Sequence, residues 1–162
     1  MIEQMERVQP ILQSPVYTGL MKQLEELERD RIYCRHGLPH QLDVARIAAI
    51  LALERGVDCP RDVIYAAALL HDIGRVRQYT DGEPHARVGV EAAADILRGT
   101  AFAADEQADI LQAVGRHQTG GGACALVQLI READHASRMC FACAARCTCN
   151  WPEERRNQTI LL

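Results

Sequence analysis

The pair His71-Asp72 ends the apolar run Ala66-Ala67-Ala68-Leu69-Leu70, and Gly74 follows as a stop signal. His71 falls with Ile64, Ala67 and Ala68 at the i, i+3, i+4, i+7 spacing of a helix stripe, which predicts an inward-facing imidazole. A buried polar ring without a partner costs about 1–3 kcal/mol. For this pair alone, a core histidine capping the helix end is the plainer reading. The pattern repeats, however. His40 shares a stripe with Val44, Ile47, Ala48 and Leu51; His85 with Val88, Gly89, Ala92 and Ile96. His117 shares one with Ile110, Ala113 and Val114, and Asp134 with Val127 and Ile130. Each of these residues can be compensated locally, but that needs a separate device on every helix. Convergence on shared metal ions satisfies all of them at once.

The elements that must position these residues are helices. The hydrophobic fraction of 48% against an aromatic fraction of 4% predicts close-packed helices rather than a sheet, and 162 residues suit one domain. A first helix is expected over 15–29, with Leu20, Leu24 and Leu27 inward and the charged run 25–29 as a solvated surface. A second runs over 39–55 and ends at Gly56. Asp58 and Pro60 signal the start of the helix carrying His71. A polar loop from Gln78 to Glu83 contains the turn signal Asp81-Gly82. Pro84 opens a helix that stops at Gly99, Asp105 opens the one carrying His117, and a loop at Gly120-Gly121-Gly122 precedes a helix over 125–138. The organisation expected is an N-terminal helical segment, 1–30, packed on a core at 31–139, with a Cys-rich segment, 140–162, of the same domain.

A net charge of −4 with no basic block argues against a nucleic-acid partner. Acidic residues stand near the N-terminus where a signal peptide needs a basic start, and no apolar run is long enough for a bilayer. A cytoplasmic protein without a membrane partner is expected, with its seven cysteines reduced. Cys140, Cys143, Cys147 and Cys149 form a dense C-x2-C-x3-C-x-C cluster that leaves three readings open: a structural zinc site, buried reduced thiols, or a redox sensor. Cys34, Cys59 and Cys124 read as isolated small residues.

The ordered set His, His-Asp, His, His, Asp resembles the HD-domain superfamily of metal-dependent phosphohydrolases. The resemblance covers Tyr33 to Arg138. It is carried by His40-Gln41-Leu42-Asp43-Val44-Ala45, by Leu69 to Arg75, and by Arg131-Glu132-Ala133-Asp134. It implies an all-α, single-domain HD-type bundle of about six to seven helices. It also implies that His40, His71, Asp72 and Asp134 hold one metal, with Asp72 bridging to a second held by His85 and His117. The stretch Gly115 to Gly120 is similar to HD-type bacterial diadenosine tetraphosphate hydrolases, which favours two metals. Arg75 and His135 stand where the family often has lysine.

A mixed imidazole and carboxylate set suits iron, manganese, zinc or nickel. Two such ions roughly 3.5–4 Å apart activate a hydroxide for attack on phosphorus. Asp72 is then the bridging catalytic residue, and Arg75, Arg116 and Arg138 position the phosphate, unless they are solvated surface arginines. His36, Gln118, Ser137 and His135 are candidate substrate contacts. The substrate class implied is a small phosphorylated metabolite or nucleotide, with a dinucleoside polyphosphate the most specific option. The competing reading is a non-catalytic HD-fold sensor of metal, nucleotide or redox state, motivated by the cysteines.

Overall fold

A computed structural model describes residues 4–119 and 124–162, so the glycine loop at 120–122 lies outside the described residues. The described residues form α1 (Gln9–Gln13), α2 (Pro15–Leu27), α3 (Leu38–Arg55), α4 (Arg61–Leu70), α5 (Arg75–Asp81), α6 (His85–Leu97), α7 (Ala104–Arg116) and α8 (Ala125–Ala136). Three 3-10 turns follow, at Cys140–Ala142, Arg146–Thr148 and Glu153–Arg155, and no strand occurs among the described residues.

The all-helical expectation holds, and α4 shows why. Val63, Ile64, Ala66, Ala67, Ala68, Leu69 and Leu70 are all buried, so nearly every face of this helix meets protein. A helix apolar all round belongs in the centre of a core. It packs against α3, α7 and α8, while α6 lies along α7. The alanines let these helices approach closely. The larger side chains that fill the remaining space include Leu69, Leu70, Ile110, Leu126, Leu129 and Ile130.

Several expectations are corrected. The stretch Gln78 to Glu83, expected as a loop, is helix as far as Asp81, where α5 ends, and Gly82, at φ 73°, makes the left-handed turn. Gly74 is not needed for a left-handed stop, since its φ is −75°. Close approach requires it, because a Cβ there would meet the His85 carbonyl oxygen at 2.0 Å. Gly74 therefore lets the turn after α4 lie directly on the start of α6. Asp58 caps nothing at α4, whose N-cap Pro60 has no side-chain bond. Neighbouring Asp62 instead accepts from Arg7, which also donates to Glu106 at 2.6 Å. That pairing ties the stretch before α1 to the starts of α4 and α7. On α2, Leu24 is buried but Leu27 is exposed, and Glu28 in the charged run is only 3% exposed. The run is thus not wholly a solvated surface.

Candidate metal centre

Five elements deliver the ligand-type side chains to one place. His40 comes from the first turn of α3, His71 and Asp72 from the turn after α4, His85 from the start of α6, His117 from the end of α7, and Asp134 from α8. The sequence places them within a turn of helix ends, and the ends themselves do part of the work. The last carbonyls of a helix have no intrahelical partner. His71 Nδ1 uses one of them, donating to the Ala68 oxygen at 2.7 Å, and His117 Nδ1 donates to the Val114 oxygen at 2.9 Å. A carbonyl only accepts, so both rings carry the proton on Nδ1 and turn Nε2 inward.

His40 is oriented by a different device. Ser137 donates its hydroxyl to the Asp134 carbonyl at 2.8 Å, which leaves its oxygen to accept from His40 Nδ1 at 3.3 Å. Arg138 donates to His40 Nε2 at 3.0 Å. A guanidinium cannot accept, so His40 Nε2 also presents a lone pair.

Two groups converge tightly enough to hold an ion. One ligand atom from each of His40, His71, Asp72 and Asp134 lies within 4.8 Å of the others, and so do atoms of Asp72, His85 and His117. Asp72 is shared. Its Oδ2 lies 3.0 Å from His71 Nε2 and 3.5 Å from His40 Nε2. Its Oδ1 lies 3.5 Å from His85 Nε2 and 3.8 Å from His117 Nε2. Asp134 Oδ1 completes the first group at 3.2 Å from His40 Nε2.

The donor set fits a metal on an observation of its own. His71 Nε2 and Asp72 Oδ2 are buried without a hydrogen-bond partner although they face each other. With the His71 proton on Nδ1, this is one lone pair against another, a contact that a cation between them relieves. The His85 and His117 Nε2 atoms lie 3.3 Å apart, and with the His117 proton on Nδ1 its Nε2 accepts from His85 when that ring carries its proton on Nε2.

The electrostatics divide the two groups. Burial opposes charge on Asp72, but His71, His40 and Arg75 outweigh it and hold the carboxyl well below its ordinary range. Asp134 behaves alike: burial is outweighed by His40, His71 and Arg138. Burial also opposes charge on His71, yet the two carboxylates win and raise its pKa. In the other group burial prevails. With Arg75 adding to the effect, it pushes His85 down to about 3, and burial plus the neighbouring His71 lowers His117.

The remaining candidate residues divide as well. Above the ligands opens a cleft of about 1080 Å³ whose lining reaches His117 and Asp134 and includes His36, Arg75, Gln118, His135 and Arg138. Arg75 Nε donates to Asp72 Oδ1 at 2.9 Å, and Arg138 to Asp134 Oδ1 at 2.9 Å. Arg116 is exposed and does not line the cleft. Ser137 orients His40 from outside the cleft. His135 donates through Nε2 to the Arg155 carbonyl at 2.8 Å, which fastens the C-terminal segment to α8. His36 is buried, and Glu28 accepts from its backbone N–H at 2.8 Å and pairs with its ring.

Sequence reasoning missed Arg31, Arg131 and Arg155 on the cleft wall. Arg131 heads the stretch that ends in Asp134 but carries no assigned role there, and only the chain's path brings the three together. It also missed Asn157, which donates to the His135 and Arg138 carbonyls at 2.8 Å and closes the end of α8. Cys140, Cys143, Cys147 and Cys149 do not converge as the tight spacing suggested: among the described residues, no three cysteine sulfurs lie within 4.8 Å of one another.

The comparisons with known proteins agree with this geometry. The HD domain family model matches residues 37–139, which contain all the ligand-type residues above. An uncharacterized protein of Clostridium beijerinckii is 36% identical over 156 residues, covering 96% of this chain and 99% of its own. Ribonuclease Y 1 of Pediococcus pentosaceus is 34% identical over 101 residues, but the chain spans only 18% of that enzyme. In fold, the chain is similar to a crystal structure of an HD superfamily hydrolase from an uncultured Thermotogales bacterium. The TM-score is 0.62 at 24% identity, over 86% of this chain and 80% of that one. With the matched span running from the turn before His40 to just beyond Asp134, the chain belongs to the HD domain family.

Proposed function

We propose that the protein is a metal-dependent phosphohydrolase acting on a small phosphorylated metabolite or nucleotide. The carrying observation is the position of the His/Asp centre at the floor of a cleft that carries Arg31, Arg75, Arg131, Arg138 and Arg155. Five guanidiniums against the carboxylates of Glu132 and Asp134 leave this concavity positive on a chain whose net charge is −4, a local anion trap. Their planar forks suit phosphate oxygens. The cleft volume of about 1080 Å³ admits a nucleotide-sized ligand.

His40, His71, Asp72 and Asp134 would hold one divalent metal, and Asp72, His85 and His117 a second. Such ions, when bound, neutralise phosphoryl charge and lower the pKa of water near them. The chain's own residues orient the pieces. Ala68, Val114 and Ser137 fix the three imidazoles whose Nδ1 partners are described above. Arg75, braced by Asp72 and by Gln78 at 2.8 Å, reaches the cleft from beside the ligands. Arg31, Arg131 and Arg155 grip the substrate further out.

The test is a panel of phosphomonoesters, mononucleotides, dinucleoside polyphosphates and short oligoribonucleotides. It is incubated with protein loaded in turn with manganese, iron, zinc or nickel. The oligoribonucleotides enter because the related ribonucleases Y are named for action on RNA. Release of phosphate or a nucleotide product from at least one class is expected, and Arg131→Ala should raise KM more than it lowers kcat. Ligand binding without product under every metal would replace this reading with that of a sensor.

A further inference from the structure

Although Cys140, Cys143, Cys147 and Cys149 do not gather as a set, three of them share a cavity with a cysteine from elsewhere. A second cavity, of about 350 Å³, lies beside the metal centre and is lined by Cys34, Cys140, Cys143 and Cys149. Cys34 comes from the loop between α2 and α3, more than a hundred residues away in sequence. Tyr33 holds that loop against the far segment, donating to the Thr148 carbonyl at 3.1 Å, next to Cys149. Cys147 is exposed and is not among the lining residues. We propose that Cys34, Cys140, Cys143 and Cys149 form a second metal site, a four-thiolate seat for a thiophilic metal centre.

Three further observations support it. First, the charge is right. Four thiolates around a divalent ion leave two negative charges, and Arg35, Arg138, Arg146 and Arg156 line the same cavity. Arg156 donates to the Cys149 carbonyl at 2.8 Å and Arg146 to the Cys140 carbonyl at 3.4 Å. Second, the segment needs a fastener. From residue 140 to 162 only Cys140, Ala145 and Asn157 are buried. An irregular segment with so little apolar core depends on hydrogen bonds, disulfides or metal for its order. Third, the cysteines sense each other: burial raises the Cys34 thiol pKa, Arg138 opposes this, and Cys140, Cys143 and Cys149 add to the rise. A metal resolves that repulsion by taking all four as thiolates.

The size of the occupant is also constrained. A single zinc ion with Zn–S bonds of about 2.3 Å draws its sulfurs to about 3.8 Å apart. No three sulfurs come within 4.8 Å among the described residues. An iron–sulfur cluster spreads its cysteines more widely than a single ion does, so it asks for less closure of the site. Both occupants use the same thiolate chemistry, and composition tells them apart.

The experiment uses the full chain purified without oxygen. Iron with acid-labile sulfide identifies a cluster; zinc without sulfide identifies a single ion; either supports the site. The metal-free protein is then titrated with cobalt(II), whose thiolate charge-transfer absorption reports only sulfur ligands, since the His/Asp centre has none. Cys34→Ser and Cys143→Ser should each abolish the absorption, while Cys147→Ser leaves it intact. If Cys34→Ser does not fold, as circular dichroism would reveal, Cys143→Ser and Cys149→Ser carry the same prediction. The proposal is overturned if the wild-type protein holds no sulfur-bound metal and shows no cobalt–thiolate absorption. It is equally overturned if Cys147→Ser removes the signal or Cys34→Ser, folded, keeps it.

Discussion

The two groups of ligands that share Asp72 are built from similar parts and balanced differently. The group of four sets two imidazoles against two carboxylates; the group of three sets two imidazoles against one carboxylate. In the first group the carboxylates Asp72 and Asp134 raise the pKa of His71. In the second, burial dominates and both histidines are lowered. A cation entering the first group therefore competes with a proton as pH falls, whereas the second offers neutral imidazoles over a wider range.

Asp72→Ala attacks what the groups share, and the largest effect is expected there. Its two oxygens face different histidines, so its loss removes one ligand from each group at once. Metal content should fall towards none per chain and phosphate release to background. Elemental analysis with the turnover panel checks both. If one equivalent of metal stays and activity persists, Asp72 does not join the groups and the comparison loses its hinge.

His40, His71, His85, His117 and Asp134 were legible in sequence because each sits in register with a helix stripe, and Asp72 as the carboxylate adjoining His71. Burial and helical period together restrict where such a residue points, and that restriction is readable without coordinates. Residues that act across turns were not legible. Glu28 lies in a charged run and is buried only because the loop after α2 folds His36 back onto it. Gln78 to Glu83 reads as polar loop by composition, yet helix runs as far as Asp81, with the close Gly74–His85 contact seating its first turn against α6. Cys34 looks isolated in a sequence that also contains a dense cysteine cluster. Only the fold, with Tyr33 bonded to Thr148, brings it to the cavity that Cys140, Cys143 and Cys149 also line.

The pH dependence sharpens the contrast between the groups. Asp72 and Asp134 hold His71 above its ordinary pKa, so metal affinity at the group of four should fall as pH drops through that raised value. His85 stays neutral down to about 3, so the group of three should bind almost independently of pH between about 5 and 8. Folding linkage for His85 in the metal-free protein has a definite sign. Its folded pKa of about 3 lies below the unfolded value of roughly 6.5. The stability this gives is present above the unfolded value and is lost as pH falls towards 3. Chelator competition across the pH range should show one metal equivalent leaving first on acidification. His85→Ala identifies the other, because it should remove the pH-insensitive equivalent. Two equivalents released together, or the His85-dependent one released first, would contradict the charge balance argued here.

Ser137 gives the smallest and most selective effect. The sequence offers it as a substrate contact, but its hydroxyl is committed to the Asp134 carbonyl at 2.8 Å and its lone pair to His40 Nδ1 at 3.3 Å. Ser137→Ala removes the acceptor that fixes the His40 proton, and the ring can then turn or change tautomer. Outer partners of this kind are worth about 10–100-fold in metal affinity. That loss is expected at the group of four only, with the group of three unchanged, because His85 and His117 make no use of Ser137. Ser137→Thr keeps the hydroxyl and should restore binding. A rise in KM with both metal affinities intact would return Ser137 to the substrate, and His40 would then need another reason for facing Asp72.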